Sequence, residues 1–115
     1  MKFYRNLETK ECIILKDGEN VPTGFNEIRA GEVDGALEKH VPVVEIKNGK
    51  MKVRVGSVEH PMTEEHYIMW IALIAGEEVI KKELSYTDKP IVEFEKTTGD
   101  VYAYCNLHGL WKSIV

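Results

Sequence analysis

The sequence predicts an all-β fold, an antiparallel β-sandwich with a small N-terminal extension. The dipeptide Asn48-Gly49 is a strong hairpin signal, because both residues tolerate positive φ. Residues 51–55 alternate apolar with charged side chains, which is typical of a strand with one face in water. Residues 67–75 are apolar on both faces, which favours a central strand, although a buried helix is also compatible with so short a run.

The first residues of the chain are predicted to form the N-terminal extension. Residues 3–5 and 12–15 are apolar or aromatic and favour two short strands joined by a turn at residues 7–10. Residues 16–24 contain Gly, Pro, Asp and Asn with little to bury, so we expect a loop there. These residues are expected to pack on the sandwich as an appendage.

The sandwich itself follows from the spacing of apolar runs and turn residues. Pro42 lies near the start of its run, where a missing N–H costs least, and Gly76 and Gly99 mark turns. Short strands separated by turns at this spacing are typical of an antiparallel sandwich. The predicted strands cover residues 41–46, 51–55, 67–75, 79–84, 91–95, 101–105 and 110–115.

Composition narrows the functional classes. The chain has 115 residues, 43% of them hydrophobic and 30% charged, which suits one globular domain. A net charge of −4 and the lack of a Lys/Arg-rich block argue against nucleic-acid binding. The longest apolar run is too short to span a bilayer and no apolar signal core follows Met1, so we expect a cytoplasmic protein without a membrane partner. The two cysteines have unlike neighbours and do not suggest a disulfide.

All four histidines and one of the two cysteines fall near predicted strand ends. Residues distant in sequence can converge there, because strand ends of a sandwich meet at one edge. Each residue alone has a simpler interpretation as a surface histidine or a small buried cysteine. Four imidazoles and one thiolate would leave one position of an octahedron open, which suits a redox or catalytic metal. The candidate ligands are His40, His60, His66, Cys105 and His108.

Four segments carry a resemblance to a known family. They are Glu38-Lys39-His40-Val41-Pro42-Val43, Val55-Gly56-Ser57-Val58-Glu59-His60-Pro61-Met62, Glu65-His66-Tyr67-Ile68 and Cys105-Asn106-Leu107-His108-Gly109-Leu110-Trp111. In order and spacing, from about residue 31 onward, the chain resembles the superoxide reductases, which include the desulfoferrodoxins and neelaredoxins. The resemblance implies an immunoglobulin-like sandwich and a mononuclear non-haem iron that cycles between Fe2+ and Fe3+. It also implies that the four histidines are equatorial ligands and Cys105 the axial thiolate.

The activity implied by the resemblance is the one-electron reduction of superoxide to hydrogen peroxide. Lys39 matches the family lysine that attracts and orients superoxide, and Glu38 matches the glutamate that can occupy the sixth position of ferric iron. Backbone N–H groups of residues 106–108 are candidates to donate to the Cys105 sulfur and tune its potential. The implied partners are an external donor, rubredoxin or a similar small carrier, and further copies of the chain in a homo-oligomer.

The N-terminal region departs from the two-iron members of that family. Those members begin with a desulforedoxin-like domain in which four cysteines hold a second iron, whereas this region contains only Cys12. One thiolate cannot make a tetrahedral sulfur site. Residues 1–35 are therefore predicted to be a vestigial desulforedoxin-like region without metal, and residues 36–115 the catalytic iron domain.

Three alternatives compete with a catalytic iron. A blue-copper carrier also uses a sandwich, but it needs two histidines and a weak axial ligand, and no methionine follows His108. A structural zinc site normally takes four ligands, not five. A lapsed site on a bare scaffold would not be expected to keep all five ligands together with Glu38 and Lys39.

Overall fold

The structure is a computed structural model that describes residues 1–113, and it confirms the all-β prediction. Its strands are all paired antiparallel. In chain order the elements are β1 Lys2–Asn6, β2 Cys12–Leu15, β3 Phe25–Ile28, α1 Leu37–His40, β4 Pro42–Lys47, β5 Lys50–Val55, β6 Ile68–Ala75, β7 Glu78–Glu83, β8 Ile91–Phe94, β9 Asp100–Cys105 and β10 Gly109–Lys112. The four-residue helix α1 and strand β3 were not predicted. Residues 114 and 115 of the predicted last strand lie outside the described residues.

Two sheets form the sandwich. One has the strand order β10-β9-β6-β7 and the other β4-β5-β8. The core between them is built from β5 and β8 on one side and β6 and β9 on the other, and includes Val53, Phe94, Ile71 and Ala103. This division into four and three antiparallel strands is the immunoglobulin-like arrangement.

Strand β6 is covered on both faces, which explains its apolar sequence. Ile71 and Leu73 face the core between the two sheets, while Trp70 and Ala72 face a second cluster on the outer side. The second cluster is completed by Phe3 and Cys12 of the N-terminal sheet, whose strand order is β2-β1-β3. The interpretation of residues 67–75 as a central strand is therefore confirmed, and the helical alternative is wrong.

The N-terminal sheet confirms two predicted strands and adds β3. Residues 16–24 form a loop between β2 and β3, as expected. The sheet packs on the outer face of the four-stranded sheet through the cluster that contains Phe3, Cys12, Trp70 and Tyr104. Its origin as a vestigial desulforedoxin-like region, and the division of the chain at residues 35 and 36, stay predictions.

The connections of the sandwich place the site. The turn at Asn48 (φ 54°) and Gly49 (φ 73°) closes the β4–β5 hairpin as predicted. Residues 56–67 cross from β5 in one sheet to β6 in the other, and residues 106–108 join β9 to β10. In an immunoglobulin-like sandwich these two connections meet at the same end. No helix among residues 1–113 is long and apolar enough to cross a membrane.

Candidate metal centre

Cys105 reaches the site from the end of β9. Val101, Ala103 and Cys105 alternate along the inner face of that strand, and Cys105 is fully buried. The neighbouring strand β6 has a β-bulge at this point, since its residues Ile68 and Trp70 pair with the consecutive residues Cys105 and Tyr104 of β9. A bulge of this kind bends the strand and re-aims side chains near functional sites.

His108 is brought back toward Cys105 by a tight hairpin. Cys105 pairs directly with Gly109, so only residues 106–108 form the loop. Gly109 has φ 77°, the left-handed conformation that closes such a loop and that glycine adopts without steric cost. The indole N–H of Trp111 donates to the His108 carbonyl at 2.9 Å and so stabilises the end of the loop. The C-x-x-H spacing therefore results from a three-residue hairpin loop.

His40 ends the short helix α1 and not a strand. Gly56 (φ 60°) lets the β5–β6 connection pack against the backbone of α1, because a side-chain Cβ on Gly56 would lie 2.6 Å from the Lys39 carbonyl carbon. The N–H of Val58 donates to the Glu38 carbonyl at 2.8 Å. These contacts attach the helix that carries His40 to the connection that carries His60.

The β5–β6 connection supplies His60 and His66. The N–H of His60 donates to the Val55 carbonyl at 3.0 Å, which continues the end of β5. Thr63 and His66 are joined by reciprocal backbone hydrogen bonds of 3.0 and 3.1 Å. Met62, which lies between His60 and His66 in the chain, packs against the core of the sandwich and anchors the connection.

The five predicted ligands converge with their donor atoms within 4.8 Å of one another. Neighbouring nitrogens are 3.2 Å apart between His60 and His40, 3.1 Å between His40 and His108, and 3.2 Å between His108 and His66. The Cys105 sulfur lies 3.5 Å from His60 Nε2 and 3.9 Å from His108 Nδ1.

The rings are arranged as a square. Adjacent rings around it have centroids 4.6–4.9 Å apart and cross at 67–81°, whereas the diagonal pair His40 and His66 is separated by 6.4 Å. A metal bound to four nitrogens in a square at about 2.1 Å places neighbouring nitrogens about 3 Å apart. The observed spacing fits one ion held by the four rings, and the Cys105 sulfur is close enough to bind the same ion.

Hydrogen bonds on the outer nitrogens select the tautomer of two rings. His40 Nδ1 donates to the Ala36 carbonyl at 2.8 Å, and His60 Nδ1 donates to the Pro61 carbonyl at 2.6 Å. The inward Nε2 atoms of both rings must then carry lone pairs. Two lone pairs that face each other at 3.2 Å repel unless a cation lies between them, and this pattern is usual for histidine ligands.

Burial favours the neutral form of His40, His60 and His66. It lowers the pKa of His60 from 6.5 to about 4, despite the opposing hydrogen bond to Pro61. Burial also lowers the pKa of His40 and of His66. Neutral imidazole is the form that binds a metal, so these rings compete little for protons at pH 7.

The thiol of Cys105 is subject to opposing effects. Burial raises its pKa, while the backbone N–H groups of His108 and Leu107 point at the sulfur and lower it. The N–H of Asn106 instead donates to the Tyr67 carbonyl at 3.3 Å. Of the three candidate N–H donors in the sequence, two reach the sulfur.

Glu38 and Lys39 lie on α1, beside His40, and both side chains are exposed. The Lys39 ammonium is close enough to lower the pKa of both His40 and His66, and the Glu38 carboxylate acts in the opposite direction on His40. Within residues 1–113 neither forms an ion pair. His66 and His108 are partly exposed, so the centre is open to solvent on their side.

Two contacts that support the ligands were not predicted. Trp111 is buried and stacks on the His40 ring, with centroids 4.9 Å apart and an interplanar angle of 24°. Asn106 hydrogen bonds to the residues on either side of His66. Both lie inside the Cys105–Trp111 segment that carries the family resemblance, but no spacing rule indicates their partners.

Comparisons with known protein families, sequences and structures agree with the geometry of this site. The family model described as Desulfoferrodoxin matches residues 32–114. The desulfoferrodoxin of Clostridium acetobutylicum is 42% identical over 113 residues, which cover 95% of this chain and 90% of the relative. The superoxide reductase of Pyrococcus horikoshii is 39% identical over 109 residues and the alignment covers 76% of this chain and 93% of the relative. The crystal structure of the superoxide reductase from Treponema pallidum is 40% identical, with a TM-score of 0.76, and covers 90% of this chain and 92% of that chain. The chain therefore belongs to the desulfoferrodoxin family.

Proposed function

We propose that the chain is a superoxide reductase with one mononuclear iron. The observation that carries this function is the convergence of four imidazole nitrogens in a square and one cysteine sulfur within 4.8 Å of one another. Relatives and solved structures named superoxide reductase, from Pyrococcus horikoshii and Treponema pallidum, support the same function.

The donor set suits iron in this role. His40, His60 and His66 would bind through Nε2, His108 through Nδ1 and Cys105 through its sulfur. When bound, ferrous iron would supply the single electron that, with two protons, converts superoxide into hydrogen peroxide. Cys105 would donate electron density to the metal, as a cysteine thiolate does in some haem enzymes. Its N–H donors from Leu107 and His108 moderate that donation by stabilising charge on the sulfur.

Lys39 and Glu38 are proposed to act at the open side. Lys39 places an unpaired positive charge beside His40 and His66, which would attract a small anion and offer it a hydrogen bond. Glu38 is proposed to cover the open position in the oxidised state, since its carboxylate is exposed on the same helix.

The electron is proposed to come from outside the chain, from rubredoxin or a similar small carrier. Within residues 1–113 the five-residue centre is the one cluster able to hold a metal, and the only other cysteine besides Cys12, Cys105, belongs to that centre. A homo-oligomer and a cytoplasmic location stay predictions.

The product balance tests the function. The iron-loaded protein, reduced without oxygen and supplied with an external reductant, is expected to form about one peroxide per superoxide with no dioxygen released. Half that peroxide with matching dioxygen would mean dismutation, and no acceleration would overturn the proposal. A non-catalytic zinc or electron-transfer sandwich is not favoured, because it leaves part of the five-donor set without a use.

A further inference from the structure

His66 and His108 differ from His40 and His60 in how their rings are held. The rings of His40 and His60 each donate an outer N–H to a backbone carbonyl. Within residues 1–113, the rings of His66 and His108 make no such hydrogen bond, and their inward atoms, His66 Nε2 and His108 Nδ1, lie 3.2 Å apart. His66 is also partly exposed and lies outside regular strands. Its position therefore depends on how its backbone is held.

Asn106 holds that backbone on both sides of His66. Its side-chain Oδ1 accepts from the N–H of Tyr67 at 3.0 Å, and its Nδ2 donates to the Glu65 carbonyl at 3.0 Å. Its own N–H donates to the Tyr67 carbonyl at 3.3 Å. The amide thus uses both ends of its side chain to bracket a residue 40 positions earlier in the chain.

Asn106 also links the two chain segments that carry donor atoms. It directly follows Cys105 and begins the loop that carries His108. One side chain therefore joins the hairpin that supplies two donor atoms to the separate segment that supplies His66. At a metal site, residues that orient a ligand in this way typically change metal affinity about 10- to 100-fold when removed.

We propose that Asn106 is the positioning residue for His66 and that it sets the metal affinity of the centre through that ligand. The inference rests on the proposed iron site, but not on the reactivity of that iron with superoxide. It implies that the effect of Asn106 on affinity passes through His66 and through none of the other three rings.

Asn106→Ala removes both side-chain hydrogen bonds. We expect it to weaken ferrous iron binding about 10- to 100-fold, measured by competition with a coloured ferrous chelator. Asn106→Asp keeps the acceptor for Tyr67 but turns an oxygen toward the Glu65 carbonyl, so it should fall between wild type and Asn106→Ala. It also serves as the second variant where Asn106→Ala does not fold, as judged by circular dichroism.

Asn6→Ala is the matched control. The Asn6 side chain also makes two hydrogen bonds to the backbone, accepting from the N–H of Glu8 at 2.9 Å and of Thr9 at 3.1 Å, but it lies in the N-terminal hairpin. This control is expected to lower the unfolding midpoint without changing iron affinity.

A double-mutant cycle decides between positioning and general structural support. In a His66→Ala background, Asn106→Ala should change iron affinity less than twofold, whereas in a His60→Ala background its full effect should persist. An equal effect in both backgrounds, or none in the wild-type background, would overturn the inference. Tight iron binding without superoxide reduction would overturn the proposed function alone, while a wild-type chain that binds no iron would overturn both.

Discussion

Acidification of the metal-free protein measures how strongly the fold holds His60 neutral. His60 is 1% exposed, and burial lowers its pKa from 6.5 to about 4. In the unfolded chain the same ring takes up a proton near its ordinary pKa. Between these two values the unfolded state binds more protons than the folded state, so stability is present above pH 6.5 and is lost as pH falls toward 4.

The size of the loss follows from the two pKa values of His60. Linkage between protonation and folding gives a loss of about 2 kcal/mol between pH 7 and pH 5, and of about 3 kcal/mol by pH 4. The lowered pKa values of His40 and His66 act in the same direction. Metal removal should therefore expose a steep acid sensitivity that originates in the centre.

Urea unfolding of the metal-free protein at several pH values is the assay, with His60→Gln as the comparison. The variant keeps every other titrating group, so the difference between the two pH profiles isolates His60. We expect the free energy of unfolding of wild type to fall by about 2 kcal/mol more than that of the variant between pH 7 and pH 5. Parallel profiles would refute the assignment of a buried neutral ring.

Three further predictions concern the centre and its support. Cys105→Ser should remove the thiolate-to-iron absorption band of the oxidised, iron-loaded protein, and an unchanged visible spectrum would rule out the axial assignment. Lys39→Ala should slow the bimolecular reaction with superoxide and weaken its salt dependence while iron stays bound, as followed by pulse radiolysis. The exposed Lys16→Ala is its control, and an equal rate in both variants would leave Lys39 without a role. In Gly49→Ala the added Cβ meets no atom within 4 Å, so the free energy of unfolding should fall by about 1 kcal/mol because of the positive φ alone. Gly56→Ala should lower the free energy of unfolding by about 2 kcal/mol more, because its Cβ also displaces α1. Equal losses of unfolding free energy in urea would contradict the packing of Gly56 against the Lys39 backbone.

Local patterns in the sequence were enough to predict most of the strands. The Asn48-Gly49 turn and the alternation after it depend on residues close in the chain, and the structure has both. The helix α1 was missed because four residues are too few to show a helical period. Strand β3 was missed because Phe25–Ile28 has no alternation, with its two central residues exposed and its partner strand β1 far upstream.

The sequence by itself determined the chemical nature of the centre. Residue type and placement near predicted strand ends made five side chains candidate donors, and the family resemblance implied the same set. These are His40, His60, His66, Cys105 and His108. The chain also holds too few cysteines for a second sulfur site, which is a matter of counting.

Only the tertiary structure decided how these donors are aimed. The inward nitrogens of His40 and His60 follow from hydrogen bonds to the carbonyls of Ala36 and Pro61, and the N–H groups that reach the sulfur follow from the hairpin loop. The contacts of Asn106 join segments about 40 residues apart. Such contacts depend on how the sheets pack and on where the β-bulge in β6 shifts the register. No local sequence pattern encodes them, because they form only when distant strands are brought to one end of the sandwich.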